Sequence, residues 1–339
     1  MTKRKFLSDQ QIDNCLKIHY GIDVINFALL PVGADINACV FKADAQDQSY
    51  FVKLKHGHHD EINLTVVELL VQSGIQSIIP PIKTKQQQSM LSIEGFHLIV
   101  YPFIEGQDGF SHSLSDKQWI KLGKALRKIH DLEVPIAVRE KLRKENYSPK
   151  FRQSVRSLYD QFNTRLVKDE IAEKLFAYLK QEQKTILHLV DSAENFAQKI
   201  SSLNPKYGLC HSDIHGGNVL VNGNDTLYIV DWDEPMMAPK ERDLMFIGGG
   251  VGNVWNQPHE EALFYQGYGN IEVDKNILAY YRYERIVQDI AEFVQHLLLS
   301  PAGGENRKIM YQHFMDMFAS RGVVEIALEV SSFSRLSSD

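Results

Sequence analysis

Residues 211–218 read HSDIHGGN and residues 229–235 read IVDWDEP, so His211, Asp213 and Asn218 are followed by a further carboxylate at Asp231. The apolar segments YGLC and VLV bracket the first stretch, which places its polar groups at the edge of a core. Two carboxylates and a carboxamide are hard oxygen ligands. They suit Mg2+, which keeps several waters and takes substrate phosphates as further ligands. Zinc would want more His or Cys. The plain alternative is that Asp213 and Asn218 only make turn hydrogen bonds.

The element that must position these groups is a hairpin. VLV, the turn Asn222 to Asp225, and LYIV form two apolar runs joined by an Asn-Gly pair, a strong hairpin signal. Asp213 and Asn218 lie on the loop entering its first strand, and Asp231 leaves its second. Antiparallel pairing is therefore expected to bring the ends to one rim, although 13 residues separate Asn218 from Asp231.

Upstream, Ser8 to Gln11 is a capping box opening a helix that Gly21 ends. Strands are predicted at 24–30, 38–44 and 49–55, with Gly33 between the first two and Asp47 at the next turn. Residues 59–74 follow a helical period, with Ile62, Val66, Leu69 and Leu70 on one face and Gly74 as the stop. Two more strands flank Glu94 and Gly95 within 89–106. This predicts a small sheet-plus-helix domain over 1–104. Residues 105–339 form a larger, mainly helical domain: an amphipathic helix at 113–132, then helical segments at 164–200, 257–268, 275–300 and 305–330. No internal repeat is evident.

The bulk composition is that of a globular protein with a real core. The 339 residues carry 37 basic and 43 acidic side chains, a formal net charge of −6, with no basic block. Nucleic acid is therefore a poor partner, whereas a small cationic substrate suits the balance. The N-terminal MTKRKFLSDQQ lacks the apolar stretch of a signal peptide, and no run has the length of a membrane span. Cys15, Cys39 and Cys210 fit neither a disulfide framework nor a zinc pattern. The expectation is a cytoplasmic protein with no membrane partner, either monomer or homodimer.

HSDIHGGN matches the H-x-D-x-x-x-x-N catalytic loop of the aminoglycoside phosphotransferase family, relatives of the protein kinases, and IVDWDEP resembles the strand and metal-binding Asp that follow it. The likeness extends over nearly the whole chain through YGI, FVKLKHGHHDEINL, VYPFIEG, DWDEPMMAPKERDLMFIGGGVGNVWN and YYRYERIVQDIA. It is strongest with the branch acting on the aminocyclitol antibiotic spectinomycin. The resemblance implies an α+β, protein-kinase-like fold of two lobes and an ATP-dependent phosphotransferase. Asp213 would accept or orient the proton of the acceptor hydroxyl. Asn218 and Asp231 would hold Mg2+ bridging the phosphates. His211 would brace the loop, and Asp243 in ERDLMF would support it.

The same resemblance assigns the nucleotide side. Lys53 in the third strand matches the kinase strand lysine, with Lys55 as its competitor on the same strand face. Glu61 is the preferred helix carboxylate for that lysine, with Glu68, seven residues on, as the alternative. Backbone N–H groups around Gly33 would meet phosphate, although the kinase glycine triplet is absent and a tight turn explains Gly33 equally well. VYPFIEG resembles the hinge, so the Pro102 carbonyl and the Ile104 N–H would receive the adenine edge, with Tyr101 beside them. Proline lacks an N–H, but this register needs only its carbonyl.

Two other clusters carry no chemistry. His56 to Asp60 reads as a polar turn, and the glycine run at 248–252 lacks the strand and acidic partner of a dinucleotide loop. A cationic acceptor calls for anionic side chains: Asp233, Glu234, Asp289 and Glu292 are the candidates, with Trp232 and Trp255 as walls. The function expected is transfer of the ATP γ-phosphate to a hydroxyl of an aminocyclitol, spectinomycin first, giving antibiotic resistance. The alternative is a metabolic kinase of the same fold acting on choline, homoserine or a sugar.

Overall fold

Ser8 accepts from the Gln11 N–H, and the Gln11 side chain accepts from the Ser8 N–H, closing the box that opens α1 (Asp9–Cys15). The helix runs on as a π-turn at Leu16–Tyr20 and stops at Gly21, whose φ of 77° suits glycine. Three strands follow, β1 (Val24–Leu30), β2 (Ala38–Ala45) and β3 (Ser49–His56), then α2 (Glu61–Gln72), β4 (Leu91–Ile93), β5 (Phe96–Pro102) and β6 (Gln107–Asp108). Next come α3 (Asp116–His130), α4 (Ile136–Arg139), β7 (Arg143–Lys144), α5 (Lys150–Asp160), α6 (Glu170–Gln181), α7 (Gln183–Ser201) and β8 (Gly208–Cys210). A 3-10 turn at Gly216–Asn218 leads into β9 (Val219–Asn222) and β10 (Thr226–Ile229). The chain ends with β11 (Met236–Ala238), α8 (Glu241–Leu244), α9 (Pro258–Tyr268), α10 (Lys275–Val294), α11 (Asn306–Asp316) and α12 (Val323–Leu336). The structure, a computed structural model, describes residues 7–30, 38–57, 61–160, 169–223, 225–251, 254–299 and 306–336.

Two compact units are formed. The first comprises Met1–Gln107, Pro135–Lys141 and Leu220–Glu234; the second comprises Asp108–Val134, Leu142–Val219 and Pro235–Asp339. Asn218 thus belongs to the second and Asp231 to the first.

In the first unit a five-stranded antiparallel sheet has the order β1-β2-β3-β5-β4. Val52 pairs with Val100 and Leu54 with Leu98, and these residues join Ile12 and Leu16 of the first helix and its π-turn in one buried cluster. Because successive side chains alternate between faces, Lys53 and Lys55 project from the opposite face of β3. Lys53 lies between Val40 and Ile99, both buried.

The second unit is mainly helical. α10 supplies Ile277, Tyr281, Tyr283, Val287 and Ile290 to its core and packs against α5 and α7. α3 and α9 approach so closely that a Cβ on Gly123 would stand 2.1 Å from the Phe264 carbonyl oxygen, and one on Gly267 2.0 Å from that of Ile120. Only glycine permits that contact. β7, β11 and β8 form a short sheet in which β11 runs parallel to β7 and antiparallel to β8. This sheet holds the strand that delivers His211.

Several expectations need revision. The helical segment 164–200 is two helices divided at Glu182, and 305–330 breaks between α11 and α12. α5 and the three short strands carry no clear periodic signal. Gly33 and residues 58–60 lie outside the described residues. Among the described residues, no helix is long and apolar enough to cross a membrane.

Candidate active site

The loop after β8 is held from below by one carboxylate. Asp243, fully buried, accepts the His211 N–H at 2.9 Å and the Ser212 N–H at 2.7 Å. Ser212 has a φ of 74°, a left-handed conformation that is costly for serine and that these two bonds enforce. On its other side Asp243 accepts His130 Nε2–H at 3.0 Å, and the Tyr268 hydroxyl donates to His130 Nδ1 at 2.7 Å. The glycine contact between α3 and α9 is what brings this histidine and tyrosine together. Burial would push the Asp243 carboxyl up, but the His130 bond and the other donors hold it below its ordinary value. His130, Cys210 and Asp243 also lie close enough to bind a metal. Their polar atoms are already committed, since the Cys210 thiol points at the Ala238 and Pro239 carbonyls.

His211 is buried, and its Nδ1 accepts the Asp213 N–H at 3.3 Å. Asp213 then carries two unequal oxygens. Oδ1 accepts from Arg285 Nη1 at 2.5 Å, whereas Oδ2 has only long contacts, 3.4 Å to His215 Nε2 and 3.5 Å to Asn218 Nδ2. His215 Nδ1 accepts the Gly217 N–H at 3.0 Å, which leaves its ring proton on Nε2. Burial opposes the charge on Asp213, but His215 and Arg285 outweigh it and hold the carboxyl well below the usual carboxylate range. Asn218 directs its Nδ2 to the Asp213 carbonyl at 2.9 Å, and its Oδ1 accepts no bond among the described residues. The loop closes tightly at Gly216, where a Cβ would stand 3.0 Å from the Gly109 backbone.

A recess beside Asp213's partner is lined by Phe246, Gly249, Arg282, Arg285, Asp289 and Val323. Asp289 accepts Arg285 Nε at 2.9 Å, so its carboxylate is committed to that cation rather than open. Burial, aided by Glu292 and opposed by Arg285, pushes the Asp289 carboxyl up to about 6. Glu292 is exposed and accepts from Gln288. Trp255, expected as a wall, is 3% exposed and meets Trp119 edge to face at 5.1 Å. A ring that buried has no face left for a ligand here. Arg285, His215 and His130 were not singled out from sequence. Arg285 could have been found as the i,i+4 partner of Asp289 in YERIVQDI, and His215 lies in the motif itself.

In the first unit Lys53 Nζ donates to Asp231 Oδ1 at 3.0 Å and to Asp233 Oδ1 at 2.8 Å, and Lys55 reaches Asp233 Oδ2 at 3.3 Å. Burial would lower the Lys53 pKa, but the two carboxylates raise it above its ordinary value. Glu61 is not among the partners of Lys53: it opens α2 exposed to solvent, while Glu68 is bound to Lys83 and Ser89. The carboxylates after β10 reach the lysine instead of the helix. Asp233 is likewise corrected as an acceptor-site acid, because two lysines neutralise it; its carbonyl also takes Asn63 Nδ2 at 2.5 Å. Trp232 is buried and donates to the Ile229 carbonyl, a packing role rather than a wall. Glu234 is exposed. Asp231 has a φ of 62°, its side chain is 48% exposed, and its Oδ2 accepts no bond among the described residues.

At the end of β5 the Phe103 N–H bonds to the Ser49 carbonyl. By antiparallel alternation the Pro102 carbonyl points away from β3, on the side where the Val100 carbonyl accepts the Ile82 N–H. The Ile104 N–H donates to no described residue. Burial pushes the neighbouring Tyr101 phenol up to about 12.

A family model described as the phosphotransferase enzyme family matches residues 29–279. No curated protein matches the chain. Among solved structures, the chain is similar to spectinomycin phosphotransferase APH(9)-Ia in complex with ADP and spectinomycin: 49% identity over 96% of this chain and 99% of that one, with a TM-score of 0.91. The AMP-bound complex of APH(9)-Ia gives 48% identity, 95% and 99% coverage, and a TM-score of 0.87. Choline kinase LicA from Streptococcus pneumoniae, at 17% identity over 92% of this chain and 99% of that one, has a TM-score of 0.57 and shares the fold alone. With its kinase-like α+β architecture and a match across most of its length, the chain belongs to the phosphotransferase enzyme family.

Proposed function

We propose that the chain transfers the γ-phosphate of ATP to a hydroxyl of spectinomycin and so confers resistance, working in the cytoplasm as a monomer or homodimer. The observation that carries the acceptor is 49% identity, over 96% of the chain, to a protein crystallised with ADP and spectinomycin. The three cysteines are free, in keeping with a reducing compartment.

Asp213 orients the acceptor hydroxyl and takes its proton as the phosphoryl group arrives. His211 and Asp243 are positioning residues, because they act through the loop backbone. Asn218 and Asp231 each retain an uncommitted hard oxygen, the donor type that Mg2+ takes. Bound Mg2+ would neutralise phosphate charge during transfer. Lys53 draws the phosphates, and the Pro102 carbonyl and Ile104 N–H receive adenine; phosphate contact by backbone N–H groups around Gly33 is the part of this reading that falls outside the described residues. Glu234 and Glu292 supply the negative field for a cationic acceptor, while Asp289, committed to Arg285, holds that cation in place.

The test is a panel of spectinomycin, kanamycin, choline, homoserine and sugars with Mg-ATP, reading ADP release. Spectinomycin is a compact fused tricycle, and a pocket closed around it excludes a flexible three-ring aminoglycoside by clash. Charge attracts both drugs, but attraction cannot place a hydroxyl about 3–3.5 Å from phosphorus. The expected result is a kcat/KM for spectinomycin well above that for kanamycin. Equal values would indicate a broad aminoglycoside kinase, and activity on choline alone a metabolic one.

A further inference from the structure

Arg285 is the nearest cation to Asp213, and nothing in the catalytic-loop motif accounts for it. Its guanidinium is held on three sides: Nη1 on Asp213 Oδ1 at 2.5 Å, Nε on Asp289 at 2.9 Å, and Cζ 5.6 Å from the Phe246 ring centre. Asp289 lies one turn further along α10, so the arginine and its anchor share a rigid element. A guanidinium tied at a second carboxylate and laid over a ring is a fixture rather than a mobile plug.

We propose that Arg285 is a positioning residue of the transfer reaction: it fixes the Asp213 carboxylate through Oδ1 and leaves Oδ2 turned to the acceptor hydroxyl. The inference rests on the reading of Asp213 as the group that meets that hydroxyl. An aspartate carboxylate swings about its Cβ–Cγ bond, and one strong contact on one oxygen stops the swing. The contacts on Oδ2, at 3.4 and 3.5 Å, are too long to compete with a hydroxyl at normal hydrogen-bond distance. Orientation is also what the chemistry needs most. In a largely dissociative phosphoryl transfer the nucleophile must be in line, and little proton transfer is needed early. The competing idea is that Arg285 occupies the place of a substrate amine and must be displaced. The two make opposite predictions for KM.

The experiment compares the full-length parent with Arg285→Ala, Arg285→Lys and Asp289→Asn at saturating Mg-ATP, with thermal unfolding of each. Arg285→Ala is expected to lower kcat by about 10²-fold, the scale of a 1 Å misplacement, with acceptor KM nearly unchanged. Added guanidinium ion should restore part of the Arg285→Ala rate and leave the parent unaffected. Arg285→Lys should fall between, because a point charge cannot hold both carboxylates in one plane. Asp289→Asn should lower kcat less. A lower acceptor KM with parental kcat in Arg285→Ala would overturn the proposal in favour of displacement. So would a parental kcat in well-folded Arg285→Lys combined with no guanidinium rescue. The parent's own activity on spectinomycin reports separately on the acceptor. Should it be absent, the same kcat and acceptor KM ratios are read with the panel acceptor that is used, and they decide the role of Arg285 all the same.

Discussion

Asp213 and Asp231 are both acids of the matched motifs, yet the chain holds them by different means. Asp213 stands on a loop whose backbone is bonded to a fully buried acid, and its own carboxylate meets a short guanidinium contact. Asp231 stands half exposed, in a left-handed conformation, tied only by the flexible stem of Lys53. The first arrangement is built to keep one geometry. The second leaves a carboxylate able to exchange partners, as the proposed sharing of Asp231 between a lysine and a metal ion requires. The buried bonds that Asp243 accepts cost several kcal/mol to break, whereas partly exposed ion pairs, Arg285 with Asp213 as well as Lys53 with Asp231, are worth about 1 kcal/mol or less, so it is the backbone support and not the ion pair that sets the two acids apart.

The sharpest way to break the rigid half is Asp213→Ala. Turnover should fall by ~10²–10⁴ while nucleotide affinity, read by calorimetry, stays near the parent. Turnover within tenfold of the parent would remove Asp213 from the reaction.

Asp243→Ala attacks the same half from beneath. It strands the His211 and Ser212 N–H groups and the His130 Nε2–H in a buried space, at roughly 3–5 kcal/mol of stability. Urea unfolding should show it. An unchanged midpoint would mean that water replaces the carboxylate.

Lys53→Met tests the adaptable half and should have a smaller effect. Losing one charge-assisted bond of about 1.5–3 kcal/mol lowers kcat/KM for ATP by roughly 10- to 150-fold. Glu61→Ala should change stability by less than about 0.5 kcal/mol and leave ATP use alone, since Lys53 does not touch Glu61. A large effect of Glu61→Ala would restore it as the lysine's partner during turnover.

That pair of variants marks where the sequence was legible. The sheet and its hairpins follow from period-two alternation and turn residues, α1 from its capping box and α3 from its apolar stripe. The motif residues His211, Asp213 and Asn218 are recognisable because they lie within one short loop. The partners that hold them are not, because they come from distant positions and are ordinary in type. Arg285 and Asp243 reach the loop from 72 and 31 residues away. Lys53 finds Asp231 and Asp233 across 178 and 180 residues, a separation at which the family resemblance offers only the helix carboxylate Glu61. The two tryptophans expected as walls are buried, and burial is invisible in a linear string.

The smallest effect separates the two halves by sign. Asp289 sits among Arg285, Glu292 and Asp213 with its carboxyl pushed up to about 6. A folded-state pKa above the ordinary ~3.9 means that the folded chain binds this proton more tightly than the unfolded one. Its contribution is therefore most favourable below about pH 4 and is lost as pH rises through about 6. Asp233 is the reverse: burial opposes its charge, but Lys53 and Lys55 win and lower its pKa, so its contribution is present at neutral pH and is lost on acidification. Stability of Asp289→Asn relative to the parent should thus rise between pH 4 and 6.5, whereas Asp233→Asn should lose most at neutral pH and approach the parent in acid. Glu284, pushed up to about 6 by burial, tilts the background in both variants and cancels in the comparison. Unfolding midpoints from about pH 2 to 6.5 decide the matter, because Asp289 titrates above about pH 4 and Asp233 below it. Parallel curves for the two variants would mean that both carboxylates see the same environment, and the contrast between a fixed and an adaptable acid would fail.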